Sequence, residues 1–333
     1  MKNLWVILLL MWSLFCSDPV SSTPIMAPFG NYSSPGSANL GNSVAFASTS
    51  FLLVGQPGNN TVNVLNCASG SCILEYSFSG SDSVSGDQFG FSVAVSGSYV
   101  AVGAPGRSGG GAVYFFNTTE FTHTQLVKVT SVAEGNFGYS VGLLGTTIVV
   151  GSPSATPAGN ATVLDCSAGS SCVTHYLPAI STGLTAGENF GSSVSIASAG
   201  FIAIGASGNN GAVYLYNCTA YPCVIGFAIS GTLLSEGSAV SVSGLTMLVG
   251  IPASNLVYYF TCVSAATCNA PITIAPSGGL LTDQFGASVS LFGTFAVIGS
   301  PSANGGAGRI DYFNLTAGSG PAILSNVSAS NTV

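Results

Sequence analysis

Short, continuous apolar runs ended by glycine recur along this chain at a steady interval. They read YVAV from Tyr99, TIVV from Thr147, FIAI from Phe201, TMLV from Thr246 and FAVI from Phe295. None alternates apolar with polar residues, and β-branched side chains are common, so each run predicts a strand buried on both faces. Aromatic runs follow several of them: VYFF at Val113, VYLY at Val213 and VYYF at Val257. Apolar residues at helical spacing are nearly absent. In the best-defined stretch, turn residues delimit four predicted strands, at 90–96, 98–103, 111–117 and 124–130.

Each buried run sits inside a longer repeated phrase. It reads FGFSVAVSGSYVAVGAP from Phe89, FGYSVGLLGTTIVVGSP from Phe137, FGSSVSIASAGFIAIGAS from Phe190 and FGASVSLFGTFAVIGSP from Phe285. Weaker copies start at Leu40 and Glu236. The leading glycines are Gly41, Gly90, Gly138, Gly191, Gly237 and Gly286, and the closing ones Gly55, Gly103, Gly151, Gly205, Gly250 and Gly299. Copies recur every 45 to 54 residues, which marks a repeat architecture. Four-stranded units of this length, with inner strands buried on both faces, predict an all-β fold, a β-propeller of antiparallel blades. Six units are present, so six blades are expected, with seven the alternative. A closed ring would pack blade six (about 283–328) on blade one (about 37–80), because an open one exposes two apolar blade faces. The segment from Pro24 to Phe29 can add an outer strand across that seam. The phenylalanine before each leading glycine is expected to fill the wedge between blades, and the glycine to allow close backbone approach.

The phrase resembles FG-GAP repeats, the units of the integrin α-chain propeller, and the resemblance spans about residues 37–328. It implies a face, made by the loops entering the first strand and the Gly-Ala-Pro loops, that engages partners. One departure matters. Integrin-type calcium sites look like D-x-D-x-D-G between the first and second strands. Here those connections read SGS at Ser96, LGT at Leu144, SAG at Ser198, SG at Ser243 and FGT at Phe292, with no Asp. Calcium needs several oxygen ligands, so those sites, and metal or cofactor dependence with them, are not expected.

Composition places the chain outside the cell. Residues 1–22 read as a secretory signal peptide, with Lys2, an apolar run from Leu4 to Cys16, and cleavage after Ser22. Residues 23–333 then form a single domain. Eight cysteines fall in close pairs: Cys67/Cys72, Cys166/Cys172, Cys218/Cys223 and Cys262/Cys268. Each pair joins the end of a third strand to the start of a fourth, within disulfide reach. Seven Asn-x-Ser/Thr sequons occur, at Asn31, Asn59, Asn117, Asn160, Asn217, Asn314 and Asn326. Only 5% of residues are charged, so N-glycans would help keep the surface soluble. The net charge of −7, with four Lys and Arg in all, excludes nucleic acid and anionic membrane as partners. After the leader no apolar run is long enough to insert in a membrane.

Little in the chain suggests catalysis. The two histidines, His123 and His175, fall near outer fourth strands, where packing or surface roles are usual. The acids Asp87, Glu188 and Asp283 each stand three residues before their leading glycine, and Glu134 stands four before Gly138. Propeller symmetry would gather them on the loop face. Each either accepts hydrogen bonds in its own turn or joins a ring that recruits a cation or a basic ligand. Arg107 is expected as the exposed cation of that face. These residues are the candidate ligand-binding set of a non-enzymatic binding or adhesion module, secreted or on the cell surface, whose partner is an extracellular protein or glycan. The alternatives are a self-assembling subunit of an extracellular coat or appendage, and a carbohydrate-active enzyme needing carboxylates about 5–10 Å apart.

Overall fold

The computed structural model describes residues 39–328 apart from 49, 69–71, 119–122, 132–134, 178–184, 210, 231–238, 277 and 316–321, with backbone alone for 199, 230 and 322–328. The signal sequence, the segment from Pro24 to Phe29, Glu134 and Asn31 therefore lie outside the described residues. The chain folds into six antiparallel blades with strands in sequential order. They occupy residues 44–78, 92–130, 140–176, 190–230, 239–274 and 288–328. Blade two shows the pattern, with strands Ser92–Ser96, Tyr99–Ala104, Ala112–Asn117 and Thr124–Thr130. In blade five the third strand, Leu256–Ser264, runs on into a hairpin with Thr267–Cys268 before the fourth strand, Ile272–Ile274. Among the described residues, helix amounts to short single turns.

The second strand of each blade is the structural centre. In blades one to five it is buried on both faces beyond its first residue. One face packs on the preceding blade and the other on the next, which is why the run carries no polar alternation. In blade two, Val100, Val102 and Ala104 face blade one, while Ala101, Val113 and Phe115 face blade three. The phenylalanines of the repeat do fill the wedges. Phe89 joins the core between blades one and two, Phe137 between two and three, Phe190 between three and four, and Phe285 between five and six, each at most 5% exposed. The copy at Glu236 has no such residue, and the seam between blades four and five is filled by Met247 and Phe260 instead.

One backbone contact repeats at the seams. A Cβ built on Gly55 would lie 1.9 Å from the carbonyl oxygen of Gly90 in the next blade. The same construction gives 2.0 Å for Gly103 against Gly138, Gly151 against Gly191 and Gly250 against Gly286. No side chain fits there, so the requirement for glycine is close approach. Each partner glycine has φ between 90° and 94°, which turns its carbonyl outward to the preceding blade. A serine completes the contact. Ser43, Ser92 and Ser140 donate their hydroxyls to the carbonyls of Gly90, Gly138 and Gly191 at 2.7–2.9 Å.

Among the described residues, blade six does not pack directly on blade one as the expected closed ring requires, and the segment expected across that seam lies outside them. The second strand of blade six, Phe295–Ser300, alternates half-buried and buried residues, unlike the other five. Ala296 and Ile298 pack on blade five, but Phe295, Val297 and Gly299 are only half-buried. The FAVI run is thus covered on one face. The physical reason is that no described residue of another blade makes the seam contact with it. Among the described residues, the near neighbours of Gly299 belong to Ser288 of its own blade, and Ser288 is exposed where Ser92 is buried. Across the break, blade one groups Leu52, Val54, Leu65 and Cys67 with Leu40 and Cys72, and no described residue of blade six joins them.

The wedge role has a direct test. Phe137→Ala or Phe190→Ala should each cost about 3–5 kcal/mol, read from the denaturant midpoint at unchanged slope. An unchanged midpoint for both would mean that these rings do not hold the seams.

Candidate functional site

The loop entering each blade and the loop between its second and third strands meet on one face. Backbone bonds tie them: Gly106 N–H to Asp87 O, Ser154 to Gly135, Gly208 to Glu188 and Ser302 to Asp283, at 2.8–3.2 Å. The predicted acids sit at these junctions. Asp87 Oδ2 accepts from the Val84 N–H, and Asp283 Oδ2 from the Leu280 N–H, both at 3.1 Å. Glu188 takes the Thr185 hydroxyl at 2.9 Å and the Asn209 amide at 3.3 Å. Each acid thus closes the turn that begins three residues earlier. Asp87 and Asp283 are buried at 4% and 5% exposure, with their carboxylates turned into their own loops. Among the described residues, no three His, Cys, Asp or Glu side chains come together.

Arg107 is not the exposed cation that the sequence suggested. Its Nη1 donates to Asp87 at 2.8 Å, to the Tyr114 hydroxyl at 2.9 Å and to the Asp82 carbonyl at 3.0 Å. Its Nη2 donates to the Asp82 carboxylate at 2.8 Å, and its side chain is only 18% exposed. Tyr114 donates to Asp82 in turn, and Lys128 pairs with the same carboxylate. The reason is local: two acids and a buried tyrosine surround the blade-two loop. The Lys128 hydrogen bond, helped by Tyr114 and Arg107, holds the Asp82 carboxyl below the usual carboxylate range. The remaining described arginine, Arg309, donates to the fully buried Asp311 at 2.9 Å. Burial pushes the Asp311 carboxyl up, against the pull of Arg309.

Three features of this face escaped sequence reasoning. The turns that the acids close present apolar side chains: Val84 is 63% exposed, Leu280 71% and Leu281 82%. The residue before each Phe-Gly or Leu-Gly pair is left-handed: Asn39, Gln88, Asn136, Asn189 and Gln284 all have φ between 55° and 60°. Buried Asn60 and Asn255 accept the N–H of Phe89 and Phe285 in the following blade, at 2.9 and 2.7 Å. The Asn or Gln before the Phe-Gly pair was the available signal, since amide residues tolerate positive φ.

The four predicted disulfides are present, Cys67–Cys72, Cys166–Cys172, Cys218–Cys223 and Cys262–Cys268. Each closes a short loop and should contribute about 2 kcal/mol. The sequons differ in setting. Asn59 is exposed on the turn Pro57–Asn59. Asn117, Asn160, Asn217 and Asn314 are half-buried. Asn217 ends a third strand and accepts the Thr219 N–H at 3.0 Å, as Asn66 and Asp165 do for Ala68 and Ser167 outside any sequon. Asn117 and Asn314 occupy the same strand-end place, but the Asn117 Oδ1 is buried without a hydrogen-bond partner, so the turn bond is shown for Asn217 alone of the three. The side chain of Asn326 lies outside the described residues. The histidines pack: His123 stacks on Phe78 with centroids 4.1 Å apart and His175 on Tyr221 at 3.7 Å. Burial holds the His123 imidazole below its ordinary pKa.

Two outcomes test the blade-two network. Arg107→Leu strands the buried Asp87 carboxylate and should cost about 2–3 kcal/mol, read by denaturation; a cost near zero would show that the ion pairs are incidental. Asp82 has a lowered folded-state pKa, so its stabilisation is present above its unfolded pKa and lost as pH falls through the folded value. Asp82→Asn should therefore flatten part of the acid limb of stability against pH, and an identical limb would contradict this.

An FG-GAP repeat model matches residues 75–116 and 272–310, which contain the phrases at Phe89 and Phe285. No curated protein matches the chain. Solved structures do match; one, titled "Crystal Structure of Mitotic Checkpoint Complex", is 16% identical, covers 87% of this chain and 81% of that one, and has a TM-score of 0.60. At that identity the likeness speaks for the fold alone. Repeat match and blade architecture agree: two stretches of the chain match FG-GAP repeats, and the chain folds as a six-bladed β-propeller, consistent with propellers of the integrin α-like kind.

Proposed function

We propose that this propeller is a non-enzymatic binding or adhesion module, secreted or held at the cell surface, that grips an extracellular protein or glycan through its loop face. The observation that carries this reading is the pair Leu280 and Leu281, 71% and 82% exposed on a turn closed by the buried Asp283. Apolar side chains fixed by a buried cap lose little freedom on binding, which favours affinity. Val84 repeats the arrangement over Asp87. In this reading the acids and Arg107 support the binding surface, and they do not themselves capture a cation. The four disulfides support an oxidising compartment. Among the sequons, the exposed turn makes Asn59 the best-placed glycan acceptor. A self-assembling extracellular subunit is the second reading, favoured by the half-buried face of blade six, on which no described residue of another blade packs.

The test is binding of the purified secreted chain to arrayed extracellular proteins and glycans. Leu280→Asp with Leu281→Asp should weaken binding at least about tenfold at unchanged melting temperature. Binding indifferent to these substitutions would remove the loop face from the account. Calcium should leave the melting temperature unchanged, because the connections from first to second strand carry no Asp. A saturable rise reversed by chelator would overturn that.

A further inference from the structure

The seam between blades two and three is packed differently from the seams on either side of it. In blade two, Tyr114 and Phe116 of the third strand meet the wedge residue Phe89 edge-on, with centroids 5.2 and 6.1 Å apart. In blade four, Tyr214 and Tyr216 meet Phe190 in the same way, at 5.5 and 6.5 Å. Pairing with the second strand puts Thr162 of blade three in register with Tyr114 and Tyr214, and Leu164 with Phe116 and Tyr216. Neither residue carries a ring, and the space that two rings fill in the adjoining seams is left open. The result is a cleft of about 160 Å³ beside Phe137. Phe137, Ser152, Thr162 and Leu164 line its buried part, while Thr174 and Tyr176 are exposed, Tyr176 at 67%. Ala155 and Asn160 also line it, and they belong to the loop between second and third strands and its border. The cleft therefore lies at the loop-face end of the blade.

We infer that this cleft binds a single neutral sugar residue, the end of an extracellular glycan. Among the described lining residues none is charged; seven of the eleven carry a hydroxyl or an amide, and the other four are apolar. A ligand suited to it offers many hydroxyls and an apolar face but no charge, which is the chemistry of a pyranose ring. Ser152 and Thr162 point to the same ligand. Each is 4% exposed, and no described residue hydrogen-bonds to either hydroxyl. Buried polar groups are satisfied by whatever fills the space beside them, and sugar hydroxyls can both donate and accept there. Phe137 and Leu164 supply apolar surface for the C–H side of the ring, and Tyr176 adds an exposed aromatic ring. Residues 132–134 and 178–184, which follow Ser131 and Leu177, lie outside the described residues. The inference rests on reading the loop face as a binding surface, and it is separate from the leucine pair, which stands at the entry to blade six.

Saturation-transfer NMR on the purified secreted chain reads the site, with the methyl glycosides of glucose, galactose, mannose, fucose and N-acetylglucosamine as probes. At least one should bind, and glucosamine and glucuronic acid should bind at least about tenfold more weakly, because a charge has no partner in the cleft. Thr162→Tyr restores the residue of blades two and four and fills the space. It should abolish sugar binding without lowering the melting temperature. Tyr176→Ala, at an exposed position, should weaken binding at least about tenfold and gives the answer if the first variant misfolds. Leu280→Asp with Leu281→Asp should leave sugar binding unchanged. Four outcomes overturn the inference. The first is no binding of any of the five glycosides: if arrayed partners still bind through the leucines, the cleft alone is refuted, and if they do not, the loop-face reading falls with it. The second is tighter binding of glucosamine or glucuronic acid than of every neutral probe. The third is sugar binding indifferent to both Thr162→Tyr and Tyr176→Ala. The fourth is a glycan mass on the Asn160 peptide, because a sugar attached there would fill the cleft from within the chain.

Discussion

The fold depends on a contact between two glycines in neighbouring blades. The second strand of one blade must come so near the next blade's Phe-Gly carbonyl that a Cβ would sit about 2 Å from oxygen. That approach sets the separation of the blades near the axis. The phenylalanine before the second glycine then fills the widening wedge, and serine hydroxyls tie the innermost strands together. Covered on both sides, the second strands bury both faces and need no polar alternation. Stability is distributed over seams between neighbours, as expected of a repeat protein.

This constraint explains the asymmetry of the molecule. Among the described residues, Gly299 makes no contact with a glycine of another blade, Ser288 is exposed, and the strand beside them returns to alternating burial. The sequence of that strand is still that of a two-sided core strand. The loop face follows a different logic. There, buried acids hold turns in place, and the side chains offered to solvent are leucine and valine.

Much of the fold was legible because its determinants are local and repeated. Blade number, strand positions, wedge phenylalanines and cysteine pairs all follow from spacing, and spacing survives without an alignment. Closure was not legible. Six units of suitable length permit a ring, but whether the last meets the first depends on the angle between blades, which no residue encodes alone. Arg107 was misjudged for a similar reason: Asp82, Asp87 and Tyr114 lie up to 25 residues away and converge on it only in the folded blade. The acids were found by their register, yet their role as turn caps needed the positions of the Val84 and Leu280 amides. Leu280 and Leu281 carried no motif, and only their exposure distinguishes them.

The central claim is that glycine on carbonyl builds the seams and that Gly299 makes no such contact with a described residue. An alanine scan of Gly55, Gly103, Gly151, Gly250 and Gly299, read as denaturation midpoints, addresses it at equivalent positions. The account predicts losses of about 1–3 kcal/mol or more at the first four, where the obstacle is backbone. At Gly299 it predicts less than about 1 kcal/mol, because the close neighbour among the described residues is a Ser288 hydroxyl that can rotate away. Equal losses at all five positions would contradict it.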